Sequence, residues 1–167
     1  MERLHAGALI LAVITTGLMA GVFQFYSHTV MPGLARTDDR TFVGAFQSLD
    51  RAILNPLFLL TFLGAFGLTA LAAGFSLRSR FHSMLPWLLV ALGLYLVVLV
   101  ITFAVNVPLN NALKAAGRPE NGTELAAIRQ AFGEGYWVRW NTVRAVASTV
   151  AFGSLTWALV LYGRVTG

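Results

Sequence analysis

The chain has 167 residues, of which 57% are hydrophobic and only 11% are charged. Typical soluble domains are about 45–50% apolar and about 25% charged, so this composition excludes a soluble enzyme and indicates an integral membrane protein. The net charge of +5 comes without a basic run of interleaved aromatic residues, which argues against nucleic-acid binding, and the absence of cysteine excludes disulfides and thiolate metal sites.

Four stretches free of charged residues are long enough to cross a bilayer, which needs about 20 apolar residues. The predicted spans are 6–26, 56–77, 85–105 and 143–161. Because a bilayer offers no partner to free backbone groups, these spans are expected to be helices. The sequence therefore predicts an all-α fold, a single transmembrane domain over 1–167 built as a four-helix bundle.

The two long connections between spans are expected to form amphipathic helices on one side of the bundle. Apolar residues recur at helical spacing over 38–54, with acidic residues at its start. A second, shorter helix is predicted over 123–132, capped by Thr123 and ended by Gly133.

Loop charges give two conflicting indications of orientation. The short turn 77–81 is basic without any acid, which favours both termini in the cytoplasm, whereas the raw count over all loops favours the opposite orientation. We expect the termini to be cytoplasmic. Arginine-rich, lysine-poor usage is typical of a GC-rich bacterial genome and indicates a bacterial plasma membrane. The lipid bilayer is the predicted partner, and a homo-oligomer is compatible with the sequence.

Polar side chains concentrate at the rim of the bundle where the long connections meet the spans. Such groups are costly inside a membrane and usually face the bundle interior. The cluster consists of Gln24, Tyr26, His28, Gln47, Asp50, Asn55, Thr102, Asn106, Asn110, Asn111, Trp137, Arg139, Trp140, Asn141 and Arg144. Together these residues predict a pocket for a small aromatic or amphiphilic molecule, although each one singly fits a headgroup or helix-packing role.

Proline and histidine positions refine this prediction. Pro108 lacks an amide hydrogen, so the third span should kink or break there. His5 and His82 are expected at the membrane surface on the opposite side. His28 belongs to the rim cluster and lacks a second histidine nearby, so it is interpreted as a general base rather than a metal ligand. No cofactor is predicted, and a metal at His28 remains an alternative.

Four motifs, in chain order, resemble a known family. They are Phe25-x-x-x-x-Val-Met-Pro-x-Leu34, Asn55-Pro-x-Phe58 after the helix that carries Gln47, Asn106-Val-Pro-Leu-Asn110, and Trp137-x-x-Trp-Asn-x-x-Arg144. This pattern resembles the anthrone oxygenase-like family of small four-span membrane proteins. The last two motifs are the most specific, and the resemblance covers nearly the whole chain.

The resemblance implies oxidation of an anthrone to an anthraquinone by O₂ without an organic cofactor. On that basis His28 is the expected base, and Asn106, Asn141 and Arg144 are expected to donate hydrogen bonds to the developing oxyanion. Substrate-binding roles are expected for Trp137 and Trp140 as stacking walls and for Tyr26, Gln47, Asn55 and Asn110. Two alternatives stay open: a non-catalytic carrier or lipid-binding protein, and a metal- or haem-dependent membrane oxidoreductase.

Overall fold

The fold is described from a computed structural model that covers residues 2–77, 79–117 and 121–167. Its α-helices are α1 (Glu2–Phe25), α2 (Met31–Leu34), α3 (Asp39–Ile53), α4 (Pro56–Phe75), α5 (Leu85–Ile101), α6 (Val107–Ala115), α7 (Gly122–Phe132) and α8 (Glu134–Thr166). Two π-helical turns, Tyr26–Val30 and Thr102–Asn106, and a 3₁₀ segment, Ser79–Met84, join them. The described residues contain no strand.

Four helical stretches are long and apolar enough to cross a membrane: Glu2–Leu34, Pro56–Phe75, Arg80–Ala115 and Gly122–Thr166. They pack as a closed ring in which α1 contacts α4 and α8, and α5 contacts α8 and, less extensively, α4. The all-α four-helix membrane bundle is therefore confirmed, with amphipathic helices α3 and α7 in the two long connections. The fourth stretch is longer than predicted, because α8 begins at Glu134 immediately after α7.

The end of the bundle that carries α2, α3, α6 and α7 is called the rim. Its core consists of Met31, Phe42, Val43, Phe46, Leu113, Leu125, Phe132 and Trp137. The side chain of Asp38 begins α3 by accepting a hydrogen bond from the Thr41 amide at 2.9 Å. These bonds from the Thr41 amide and hydroxyl hold the pKa of Asp38 below its ordinary value. The apolar residues Phe42, Val43 and Phe46 of α3 are buried in this core, so α3 covers the rim end of the bundle.

Helix α7 differs from the prediction at its start. Asn121, not Thr123, is the N-cap, because the Asn121 side chain accepts the Thr123 amide hydrogen at 3.0 Å. The helix ends as expected at Gly133, whose φ of +64° is the left-handed conformation that glycine adopts without steric cost. That residue also precedes α8, so α7 turns directly into the last span.

Pro108 does not break the third span. The chain instead forms a π-helical turn just before it, in which the Val107 amide bonds to the carbonyl of Thr102. An identical arrangement precedes Pro32, where the Met31 amide bonds to the carbonyl of Tyr26. The extra residue of a π turn absorbs the missing proline hydrogen bond locally, so the helix continues. Each π turn is separated from its proline by one residue, so the first and third spans end with the same local pattern.

His5 is buried, contrary to the expectation of a surface position. Its exposed fraction is 1%, and its Nε2 lies 3.1 Å from the Ser76 hydroxyl. The rings of Phe81 and Tyr162 lie 4.8 and 5.1 Å from the imidazole. The 3₁₀ segment folds Phe81 over the end of the bundle and covers His5, which the sequence pattern did not reveal. His82 in the same segment is exposed.

Candidate functional site

A cavity of about 270 Å³ lies at the rim, beneath α3 and between α4 and the second π turn. This volume is near the lower end of the range of about 300–1,000 Å³ typical of small-molecule sites. The cavity is lined by Val22, Phe23, Tyr26, Phe46, Leu49, Asp50, Ile53, Leu54, Phe58, Leu59, Phe62, Leu63, Thr102, Phe103, Asn106, Val107, Asn110, Trp137, Asn141 and Arg144. We call it the rim cavity.

Arg144 on α8 provides a buried positive charge in the wall of the rim cavity. Its Nη1 donates to the Thr102 hydroxyl at 3.0 Å, and its Nη2 donates to the Asn141 side-chain oxygen at 2.7 Å. The guanidinium carbon lies 4.6 Å from the centre of the Phe23 ring and 5.7 Å from that of Trp137. The two hydrogen bonds and two aromatic faces fix the orientation of the guanidinium.

This guanidinium is incompletely satisfied by the protein. Its Nε is buried and has no hydrogen-bond partner. Among the described residues, no carboxylate lies within ion-pair distance of Arg144. Since a buried cation is costly unless it is paired, the arrangement suits a ligand that brings an electron-rich oxygen to the cavity.

Asn141 connects α8 to the first span. Its side-chain amide donates to the Phe23 carbonyl at 3.1 Å and to the Ser27 hydroxyl at 2.7 Å, and the residue is fully buried. Its oxygen accepts from Arg144, so both ends of the amide are used. Asn141 therefore holds Arg144 against α1 and the π turn that follows it.

A chain of polar contacts crosses the outer wall of the cavity from α8 to α3. The Trp137 indole donates to the Asn110 oxygen at 2.7 Å, and the Asn110 amide donates to one Asp50 oxygen at 2.6 Å. The other Asp50 oxygen lies 2.7 Å from the Lys114 ammonium. Asp50 is the only carboxylate among the described residues that line the cavity.

Asn106 follows the second π turn and is 1% exposed. Its amide nitrogen lies 3.4 Å from the Trp137 carbonyl, which it donates to, while its side-chain oxygen is buried without a partner. Two residues of the cavity wall thus carry unpartnered buried polar atoms, a donor on Arg144 and an acceptor on Asn106. A ligand with both a carbonyl and a hydroxyl group complements this pair.

Six predicted site residues come together in the cavity wall: Tyr26, Asn106, Asn110, Trp137, Asn141 and Arg144. Three others lie beside it. Gln47 is buried and donates to the carbonyls of Leu113 and Gly117, both at 2.8 Å, so it fixes the end of α6. Asn55 is the N-cap of α4. Trp140 packs edge-on against Tyr136 and is not a lining residue.

The structure places the remaining predicted site residue, His28, outside the wall of the rim cavity. Its side chain is exposed, it does not line the cavity, and its Nε2 lies 2.7 Å from the Gln24 side-chain oxygen. Tyr26 lines the cavity two positions earlier, and residues two apart on a helix do not share a face. Placement at the same depth in the sequence therefore did not imply placement on the same side.

Three residues of the site were not assigned from sequence. Asp50 and Thr102 belonged to the polar rim, but nothing in their spacing connected them to Asn110 or Arg144. Lys114 had a usable signal, because it is the only lysine in the chain and lies four residues after Asn110 on one face of α6. Across residues 2–77, 79–117 and 121–167, no three His, Asp or Glu side chains group to hold a metal ion.

Comparison with known families gives one match. A sequence model described as anthrone oxygenase matches residues 45–154, well over half of the chain. The matched region begins within α3 and extends into α8, so it includes the rim-cavity residues from Phe46 to Arg144. No curated protein and no solved structure matches the chain.

Proposed function

Because the chain belongs to the anthrone oxygenase family, we propose that it is a membrane-embedded oxygenase. In this proposal O₂ oxidises an anthrone-like aromatic substrate in the rim cavity without an organic cofactor. The observation that carries the proposal is the buried Arg144, whose Nε has no partner in an otherwise largely apolar cavity. Such a group stabilises negative charge as it develops on a substrate oxygen.

The reaction balances with O₂ as the oxidant. A base removes a proton from the methylene carbon between the aromatic rings, and the electron pair moves into the ring system and onto the carbonyl oxygen. O₂ then adds to that carbon to give a hydroperoxide. Loss of the second carbon-bound hydrogen as a proton, with cleavage of the O–O bond, leaves a quinone carbonyl and water. The protein needs to supply a base, anion stabilisation and a pocket that excludes water.

Arg144 and Asn106 are proposed to bind the polar edge of the substrate. Arg144 Nε donates to the carbonyl that becomes the oxyanion, and Asn106 accepts from a hydroxyl group. Asn141 and Thr102 are positioning residues, since both hold Arg144. Trp137 and Phe23 supply aromatic walls, both of which also contact the guanidinium.

Asp50 is proposed as the base in place of His28. The Asp50 carboxylate lines the cavity, whereas His28 is exposed outside it. A base must come within hydrogen-bond reach of the proton that it removes. Of the two residues, only Asp50 lies in the wall of the cavity that would hold the substrate. Asn110 and Lys114 orient the carboxylate from α6.

The proposed cellular setting rests on two features of the sequence, the arginine-rich and lysine-poor composition for the membrane and the loop charges for the orientation. We place the protein in a bacterial plasma membrane with both termini in the cytoplasm, because the short basic turn 77–81 outweighs longer loops in orienting a membrane protein. In that orientation the rim cavity lies on the outer side of the membrane.

The test is O₂ uptake by detergent-purified protein supplied with anthrone. Asp50→Asn keeps the shape and the contact with Asn110 but removes the base, so we expect turnover to fall by about 10²–10⁴-fold. His28→Ala should retain turnover. If Asp50→Asn were fully active and His28→Ala inactive, the base assignment would be reversed, and if anthrone gave no protein-dependent uptake at all, the oxygenase proposal would fail.

A further inference from the structure

The two sides of the rim cavity differ in chemistry. Its polar side chains come from α1 with its π turn, α3, the third span and α8. The wall formed by α4 is entirely apolar, with Leu59, Phe62 and Leu63, and Phe103 of the second π turn faces it across the seam. The cavity is therefore amphipathic, with its charge on the side away from α4.

The apolar side is where the cavity opens. Five lining residues, all of them apolar, are exposed over 39–59% of their surfaces: Leu49, Leu54, Leu59, Leu63 and Phe103. Residues that both line a cavity and lie on the outside of the bundle mark its mouth. Leu59, Leu63 and Phe103 belong to helical stretches that are long and apolar enough to cross the membrane, whereas Leu49 and Leu54 lie at the end of α3.

The depth of this mouth places it among the lipid chains. Leu63 is seven residues from Pro56 at the rim end of α4, which is about 10 Å along a helix that rises 1.5 Å per residue. The hydrocarbon core of a bilayer is about 30 Å thick, so Leu63 lies well inside it when α4 spans the membrane. The exposed side of the mouth therefore contacts acyl chains.

Two sets of contacts bound the cavity below and above this mouth. Below the mouth, the Tyr95 hydroxyl donates to the Phe62 carbonyl at 3.0 Å and ties α5 to α4. Above the cavity lies α3, whose buried Phe46 packs edge-on against Trp137 with ring centres 5.5 Å apart. Asp50 is tied to Asn110 in the same layer. The mouth therefore extends from Leu49 and Leu54 at the end of α3 along α4 to Leu63, and every exposed residue on it is apolar, which suits entry from lipid rather than from water.

We infer that the ligand enters the rim cavity sideways from the lipid phase, through the part of the mouth between α4 and the second π turn that is bounded by Leu59, Leu63 and Phe103. The substrate class is then a flat, lipophilic molecule that partitions into the bilayer and moves its single polar edge inward to Arg144. This inference rests on the proposed function for the aromatic nature of the ligand. The route itself is a property of the mouth and is tested by binding, without turnover.

The chain contains no cysteine, so one introduced thiol can be modified selectively. Leu63→Cys is labelled with a bulky maleimide in detergent and reconstituted into phosphatidylcholine vesicles. The matched control is Leu71→Cys, which is 49% exposed on the same helix, does not line the cavity and lies about 12 Å deeper. The probe is 9,10-anthraquinone, an unreactive product-like molecule whose binding is followed by saturable quenching of tryptophan fluorescence.

Labelled Leu63→Cys should bind the probe about tenfold more slowly than its unlabelled form, within the range over which association rates of related complexes vary. Labelled Leu71→Cys should bind at the unlabelled rate. Equal rates for the labelled and unlabelled Leu63→Cys protein would overturn the lateral route. Absence of saturable quenching in the unlabelled proteins would overturn the substrate class. If the predicted binding rates were found but the protein consumed no O₂, the lateral route would be supported and the oxygenase function would be refuted.

Discussion

Arg144 is the residue on which the site depends most. Ionisable side chains within membrane spans are expensive, and they pair with an acid or serve a functional pathway. Arg144 has neutral partners, Thr102 and Asn141, and two aromatic faces. These contacts orient the guanidinium without neutralising its charge, which leaves that charge available to a ligand.

Two substitutions at Arg144 should distinguish the effect of its positive charge from the effect of its fixed orientation. Arg144→Gln removes the cation, and Arg144→Lys keeps a positive charge but loses the planar group that bonds Thr102 and Asn141 together. We expect kcat for O₂ uptake to fall by about 10²–10³-fold in Arg144→Gln, the usual effect of removing one oxyanion donor. Arg144→Lys should also have a lower kcat than the wild-type protein.

The matched control for these variants is Arg139→Gln, an exposed arginine on the same helix that does not line the cavity. It should keep the wild-type kcat. Loss of activity in Arg139→Gln together with full activity in Arg144→Gln would show that the buried guanidinium has no role in the reaction.

At the scale of single residues, spacing identified some members of the site and missed others. Trp137, Asn141 and Arg144 could be grouped from one sequence because they lie on one helix at intervals of three and four. The contact between Asp50 and Asn110 joins residues 60 positions apart, so no local pattern reveals it. The prediction for His28 rested on its depth along the helix, which can be read from sequence, whereas the side on which a residue of a π turn lies cannot.

Among the elements, the two π turns determine which side chains face the cavity. Thr102 begins the second turn and bonds Arg144, while Asn106 ends it and carries the unpartnered acceptor. A π turn contains one more residue than the corresponding α-helical turn, so it changes the rotation between the two parts of the helix. The sequence predicted a kink at Pro108 but not this change in register.

Pro108→Ala restores the amide hydrogen at this position, so the second π turn should revert to ordinary α-helix without a change in chain length. The residues before and after the turn would then rotate by about 100° relative to each other, since an α-helix has 3.6 residues per turn. Asn106 and Asn110, which follow Thr102, would leave their present positions in the cavity wall. We expect helix content by circular dichroism to be retained while saturable quenching by 9,10-anthraquinone is lost.

The control for Pro108→Ala is Ala104→Leu, which keeps the proline and changes an exposed position of the π turn. It should bind the probe like the wild-type protein. Undiminished binding by Pro108→Ala would mean that the π turn does not set the geometry of the site.

Asn55 tests whether a rim residue acts through its helix or on the ligand. Its side chain accepts the Phe58 amide hydrogen at 3.0 Å and begins α4. Asn55→Ala should lower the free energy of unfolding by about 1 kcal/mol, the typical loss for an N-cap, whereas Asn55→Asp should keep the cap. Thermal unfolding in detergent measures this difference. If Asn55→Ala unfolded like the wild type but bound the probe poorly, Asn55 would be a ligand-binding residue as first predicted.

At the scale of the whole molecule, composition and hydropathy were sufficient for the bundle. Charge-free stretches of the right length can only be helices in a bilayer, and the long connections showed their own helical periodicity. The extent of packing between neighbouring spans of the ring, by contrast, cannot be read from hydropathy. Nothing in the sequence predicted that α4 and α5 would pack less extensively than the other neighbours. The cavity and its mouth lie where this seam continues towards the rim, between α4 and the second π turn.

The most direct test of the account is the fate of oxygen in a single reaction. Detergent-purified protein treated with a chelator is given anthrone and isotopically heavy O₂, with Arg144→Gln protein to measure spontaneous oxidation. We predict one O₂ consumed for each anthraquinone formed and one heavy oxygen atom in the quinone. The wild-type protein should form anthraquinone faster than Arg144→Gln protein, whose rate measures the spontaneous oxidation. Uptake that the chelator abolishes, or a rate equal to that of Arg144→Gln, would contradict cofactor-free oxygenation in the rim cavity.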